Sequence, residues 1–162
     1  MADTVSNQKD DEEYAEMIDP ADSDAFNYKV ARMAELVKAH SGNVVFFTGA
    51  GISTSAGIPD FRSGLNSVTG LPAGKWCQKA TASQWTAGES QQFKERAAKT
   101  IDTAKAIPTQ SHMAIVALQQ AGICKGLISQ NCDGLHRRSG FEVESLAELH
   151  GNSNLVCTPI LL

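Results

Sequence analysis

The sequence has no Cys-x-x-Cys pair, no apolar run long enough to span a bilayer, and no basic cluster of the kind that marks nucleic-acid or nuclear-import segments. Its four cysteines, Cys77, Cys124, Cys132 and Cys157, are scattered along the chain. That distribution argues against a disulfide framework, and its spacings fit no structural zinc site. The N-terminus lacks the basic-then-apolar layout of a secretory signal. These absences predict a chain that works in the cytosol or nucleus, off the membrane and without a direct nucleic-acid motif. What is present suffices for one folded domain: 162 residues, 42% of them hydrophobic, give room for a real core.

Charge is unevenly spread. Residues 1–24 hold nine of the 18 acidic residues and one basic residue, Lys9, so the remainder carries a net charge of +4. An acidic, aromatic-poor segment reads as a solvated, disordered tail over residues 1–26, and a docking segment for a basic partner is the alternative. Residues 27–40 have helical spacing, with Val30, Met33, Ala34 and Val37 recurring before Gly42. Residues 43–48 form a nearly unbroken apolar run, which predicts a parallel strand buried on both faces. Residues 63–88 are rich in Gly, Ser and Thr and read as a long loop with a short helix. A helix is expected over residues 90–106, with Phe93, Ala97, Ile101 and Ala104 on one face. Another is expected from Ser111 as N-cap to Gly122, with Ala114, Ile115 and Leu118 inward. Residues 125–129 make a second strand. The pattern is α/β, with an incomplete parallel sheet of Rossmann-like type.

Positions 44–62 carry the densest signal: Val-Val-Phe-Phe-Thr-Gly-Ala-Gly-Ile-Ser-Thr-Ser-Ala-Gly-Ile-Pro-Asp-Phe-Arg. A strand ends in the turn Gly49-Ala50-Gly51 and leads into a helical start. That geometry points backbone amides at an anion such as a pyrophosphate. The full dinucleotide fingerprint wants a third glycine where Thr54 stands, so the turn alone fits an ordinary α/β loop as well as a cofactor site. The second strand ends in Gln130, Asn131 and Asp133. Both polar segments therefore follow strand ends, where open α/β sheets bind ligands.

Three blocks together resemble the sirtuins, the NAD-dependent protein deacylases. They are Gly-Ala-Gly-Ile-Ser followed by Gly-Ile-Pro-Asp-Phe-Arg, then Ser129-Gln130-Asn131-Cys132-Asp133-Gly134-Leu135-His136-Arg137-Arg138-Ser139-Gly140, then Glu148-Leu149-His150-Gly151-Asn152. They occur in the family's order over residues 28–157, and the second leans towards the nuclear, chromatin-associated branch. The resemblance implies a partial NAD-binding catalytic domain over residues 27–157 and transfer of an acyl group from lysine to ADP-ribose, with release of nicotinamide. It implies His150 as general base and Asn131 as a second catalytic group. Gly49, Ala50, Gly51 and Ser53 would line the phosphates, and Arg62 would reach a phosphate or ribose. Phe61 would cover the reacting carbon, and Gln130, Asn131 and Asp133 would meet the nicotinamide ribose and carboxamide. Asp60 would bond within the nicotinamide pocket or only fix its loop. The implied partner is an acyl-lysine protein, with histones as one class, and mono-ADP-ribosyl transfer is an activity the same site could support. Cys132 reads as a small buried apolar side chain, and His112, His40 and His136 read as structural.

The family continues after its histidine motif into a four-cysteine zinc module. Here Cys157 stands at the first ligand position, Ile160 at the second, and residues 158–162 diverge. Cys157 is therefore the one remaining candidate ligand of an incomplete zinc site, and the pattern reads as a premature end. Three readings follow: an NAD-dependent deacetylase by family, a catalytically inactive fragment that binds NAD or pairs with a full-length relative as a regulator, or a non-functional fragment that does not fold stably.

Overall fold

The computed structural model describes residues 23–64 and 69–155, so most of the acidic tail, and Cys157 with the divergent residues 158–162, lie outside the described residues. The chain divides into two compact units, residues 1–41 and residues 42–162. In the first, helix α1 runs Ser23–Ala39, four residues longer at its start than its apolar spacing predicts. Asp24 in the first turn and Lys38 in the last complement the helix dipole.

The second unit contains strand β1 (Val44–Thr48), a 3-10 helix (Ala50–Ala56), helices α2 (Lys75–Thr81), α3 (Ala87–Ala97) and α4 (Gln110–Gln120), strand β2 (Cys124–Ser129), helix α5 (Leu135–Arg138) and strand β3 (Leu146–Glu148). The strands form one parallel sheet in the order β1-β2-β3. Phe46 pairs with Leu127, and Leu127 with Leu146. Parallel neighbours require crossovers, and α4 returns the chain from the first strand to the second. The sheet is α/β and parallel, as its sequence pattern predicts.

Ile115 and Val116 of α4 pack with Cys124 and Leu127 of β2 and with Phe141, and Phe46, Leu118 and Leu146 close the cluster. The expectation that β1 is buried on both faces is not met. Val45 and Phe47 are 53% and 62% exposed. The packed face is the one toward α4, and successive strand residues point to opposite faces.

The described part of residues 63–88 holds the expected short helix and more. It holds all of α2, and α3 begins at Ala87 rather than at residue 90. A capping box sets that start: Thr86 Oγ1 accepts from the Glu89 amide at 3.3 Å, and Glu89 Oε2 accepts from the Thr86 amide at 2.7 Å. The helix stops at Ala97, nine residues short of the expected 106, where Thr100 Oγ1 donates to the Ala97 carbonyl. Asp102 then forms an Asx turn by accepting from the Ala104 amide. Ile101 and Ala104 therefore leave the expected helix face. In α4 the N-cap is Thr109, not Ser111. Its hydroxyl accepts from the His112 amide, and His112 Nδ1 accepts from the Thr109 amide at 3.2 Å. Ala114 is exposed, and the inward positions are Ile115 and Val116, with Leu118 half-buried.

Candidate functional site

The site forms where the three parallel strands end. After β1 the chain turns through Gly49 into the 3-10 helix, whose N-cap has extended backbone and no side-chain capping bond. The leading amides of such a helix are left for a ligand. A Cβ on Gly51 would meet nothing within 4 Å, so this position faces open space. After β2, the Gln130 amide donates to the Thr48 carbonyl at 3.0 Å, which brings the two loops together.

Asn131 links them further. Its Nδ2 donates to the Gly49 carbonyl at 3.1 Å and to Ser53 Oγ at 3.2 Å. Ser53 Oγ donates in turn to Asp133 Oδ2 at 2.6 Å, and Asp133 Oδ1 accepts from the Leu135 amide, starting α5. Ser53 and Asp133 are both buried. A carboxylate out of water needs such donors. After β3, the Leu149 amide donates to the Ser129 carbonyl at 2.9 Å. His150 Nδ1 lies 2.9 Å from the Gln130 carbonyl oxygen. A carbonyl only accepts, so Nδ1 carries the proton; in the neutral ring Nε2 then keeps its lone pair, the form a general base needs.

The fourth wall is the loop of Asp60, Phe61 and Arg62. Asp60 accepts from the Ser63 amide at 3.0 Å and from the Ser63 hydroxyl, bonds that fix the loop. The start of α2 grips the same segment: the Gly74 amide donates to the Ser63 carbonyl and the Trp76 amide to the Phe61 carbonyl. A Cβ on Gly74 would stand 2.2 Å from the Phe61 carbonyl carbon, so only glycine permits this approach. Phe61 is 57% exposed, and Arg62 forms no ion pair among the described residues.

Together these segments enclose a cavity of about 900 Å³ lined by Ala50, Gly51, Asp60, Phe61, Arg62, Gln130, Asn131, Cys132 and His150. That volume suits a large cofactor or ligand. Gly49, Ser53 and Asp133 are not in the lining; Ser53 and Asp133 brace Asn131 from behind. Cys132, read from sequence as a buried filler, is half-buried in the wall, with Sγ 3.3 Å from the His150 carbonyl oxygen. Asp60 lines the cavity, and its bonds to Ser63 fix its loop.

Behind the site sit two buried histidines, His112 and His136, with ring centroids 4.6 Å apart. His136 Nε2 is 2.9 Å from Thr48 Oγ1. Burial, and secondarily the neighbouring His112, push the His136 pKa down to about 4, against the opposing pull of Asp133 and Glu148. Burial also lowers His112, which Asp133 partly offsets. Both are neutral packing groups at ordinary pH, in keeping with their structural reading.

Sequence reasoning did not find Gly74, Arg137 and Glu148 as supports of the site. Gly74 left no local signal, because its partner backbone lies more than ten residues upstream. Among the described residues no cluster of three or more His, Cys, Asp or Glu could hold a metal ion. Nor is any described helix long and apolar enough to cross a membrane.

A profile described as the Sir2 family matches residues 49–159. The NAD-dependent protein deacetylase SRT1 of Arabidopsis thaliana is 41% identical over 90% of this chain and 26% of its own length. The NAD-dependent protein deacetylase Sirt6 of Drosophila melanogaster is 45% identical over 76% of this chain and 32% of its own. A solved Sir2 enzyme is 34% identical with a TM-score of 0.50, over 75% of this chain and 46% of that one. The chain thus spans about a quarter to a third of the length of these two curated relatives.

Proposed function

The chain belongs to the Sir2 family, and on that premise we propose that it is an NAD-dependent protein-lysine deacetylase whose cofactor lies in the cavity at the strand ends. The observation that carries this reading is the convergence on one cavity of an arginine and a histidine Nε2, both without a partner among the described residues, with an exposed aromatic and an amide. The donor set fits NAD. Arg62 is a cation without a partner among the described residues, beside a glycine turn with open space over Gly51, as a pyrophosphate requires.

In this reading Ala50 and Gly51 face the phosphates, Gly49 makes the turn behind them, and Arg62 neutralises them. Gln130 and Asn131 hold the ribose and carboxamide, and Ser53 and Asp133 act by fixing the Asn131 amide. NAD, when bound, supplies an anomeric carbon from which nicotinamide departs, so that an acyl group can pass to ADP-ribose. The chain's own residues do the rest. Phe61 shields the reacting centre from water. His150, its Nδ1 proton committed to Gln130, presents Nε2 to take a proton from a ribose hydroxyl. Its turn is open to solvent, so the proton can leave. We propose residues 27–157 as the part that carries this chemistry, an acyl-lysine protein as substrate with histones as the class to test first, and a nuclear or cytoplasmic site of action. A zinc role for Cys157 has no described partner residues to support it, and the chemistry above does not depend on one.

The test is nicotinamide release and peptide deacetylation with an acetyl-lysine peptide and NAD. Both are expected, and His150→Ala should lower them by about 10²-fold or more. Release that ignores His150→Ala would contradict the assignment. Cofactor binding without release would favour an NAD-binding module instead.

A further inference from the structure

His150 is exposed, stands on a short turn and makes one side-chain bond among the described residues, yet the proposed chemistry needs its ring fixed. The turn is closed by a carboxylate two residues before it. The Glu148 side chain is 8% exposed, and its two oxygens are held from different directions. Oε2 accepts from Arg137 Nε of α5 at 2.7 Å, and Oε1 accepts from Asn152 Nδ2 at 2.8 Å. The second bond spans residues 149–151 and closes a ring around His150, reinforced by the Gly151 amide on the Glu148 carbonyl at 3.2 Å. Beyond it the Ser153 amide donates to the Cys132 carbonyl at 2.8 Å, and Asn154 Nδ2 donates to the Asp133 carbonyl at 2.7 Å. The far side of the turn is thus pinned to the loop that carries Asn131. Gly134 leaves room for this docking: a Cβ there would be 3.0 Å from both asparagine side chains.

We propose that Glu148 is a positioning residue for His150: clamped by Arg137 and Asn152, it holds the turn so that Nδ1–H stays on the Gln130 carbonyl and Nε2 faces the cavity as a base. The clamp gives meaning to a carboxylate withdrawn from water, where it needs both donors to be tolerated. It rests on the proposed role of His150, but its signature is a property of the ring and not of turnover. The neutral ring of an unconstrained histidine side chain in water favours the Nε2–H form, so a predominant Nδ1–H form marks a ring whose tautomer is set by a hydrogen bond.

The experiment is ring-¹⁵N NMR of histidine in the 162-residue chain, above the pH range in which histidines titrate, comparing wild type, Glu148→Gln and Arg137→Met. Glutamine offers one acceptor where two are needed. The Arg137 side chain is about a third exposed, so its variant keeps the stem and folds if the other does not. Wild type is expected to show His150 mainly as Nδ1–H. Each variant should shift the tautomer ratio toward Nε2–H by at least threefold, while the His112 and His136 signals, held by Thr109 and Thr48, stay in place. An unchanged His150 ratio in a folded variant, even one with a lower Tm, would overturn the proposal, as would a wild-type ring already in the Nε2–H form. NAD titration of the same samples separates the two readings: no NAD response in wild type rejects the cofactor assignment, while the tautomer ratio still decides the role of Glu148.

Discussion

Replacing His136 with glutamine should remove a specific part of the chain's sensitivity to acid. His136 is 3% exposed, and burial beside His112 holds its pKa at about 4 against an ordinary value of 6.5. The folded pKa lies below the unfolded one, so between those values the unfolded chain binds the proton and the folded chain does not. Stability therefore rises with pH across this window. The contribution is complete above pH 6.5 and is lost as pH falls toward 4. At about 1.4 kcal/mol per unit, the full loss is roughly 3 kcal/mol. Glutamine cannot titrate but can still reach Thr48 Oγ1. Its own cost, about 1 kcal/mol, should be nearly independent of pH. Urea unfolding of both proteins at neutral pH and at about pH 4.5 reads the difference. Wild type should lose about 2–3 kcal/mol more than His136→Gln on acidification. An equal loss in the two would refute the reasoning, because other acid-labile groups would then account for the slope.

Two further perturbations probe the supports of the cavity. Gly74→Ala places a methyl 2.2 Å from the Phe61 backbone and must displace Phe61 and Arg62. NAD affinity by calorimetry should fall roughly tenfold or more, and an unchanged affinity would remove Gly74 from the site. Thr109→Ala deletes both the cap of α4 and a 2.9 Å bond to the Ile52 carbonyl. It should cost about 1–2 kcal/mol in urea unfolding and release the first-turn amides of α4 to hydrogen exchange, and full protection there would contradict the cap.

Much of this architecture was legible in the sequence. The unbroken run at residues 44–48 and the apolar stretch before Gln130 gave both main strands within a residue. The stripe of Ile115 and Leu118 gave α4. What misled was local. Phe93, Ala97, Ile101 and Ala104 keep helical spacing, but Thr100 and Asp102 offer the backbone competing bonds, so α3 stops at Ala97. Thr86 and Glu89 announced its start inside a stretch whose composition reads as loop. At the site, the residues around the cavity all fall in segments the motifs singled out. The division among them was not legible. Whether Ser53 faces a ligand or braces Asn131 depends on Asp133, 80 residues away. Likewise, nothing near Arg137 in sequence says that Glu148, 11 residues on, will be its partner. Such pairings arise only when parallel strands bring their ends together.

The most direct test of the account is a thermal melt of the 162-residue chain with and without NAD, repeated with Arg62→Ala. A ligand that binds only the folded state raises stability by about 2.7 kcal/mol at a hundred times its Kd. The account predicts one cooperative transition that moves up with NAD in wild type and moves much less in Arg62→Ala. A transition indifferent to NAD, or one raised equally in both proteins, would contradict the claim that this cavity is where the chain holds its cofactor.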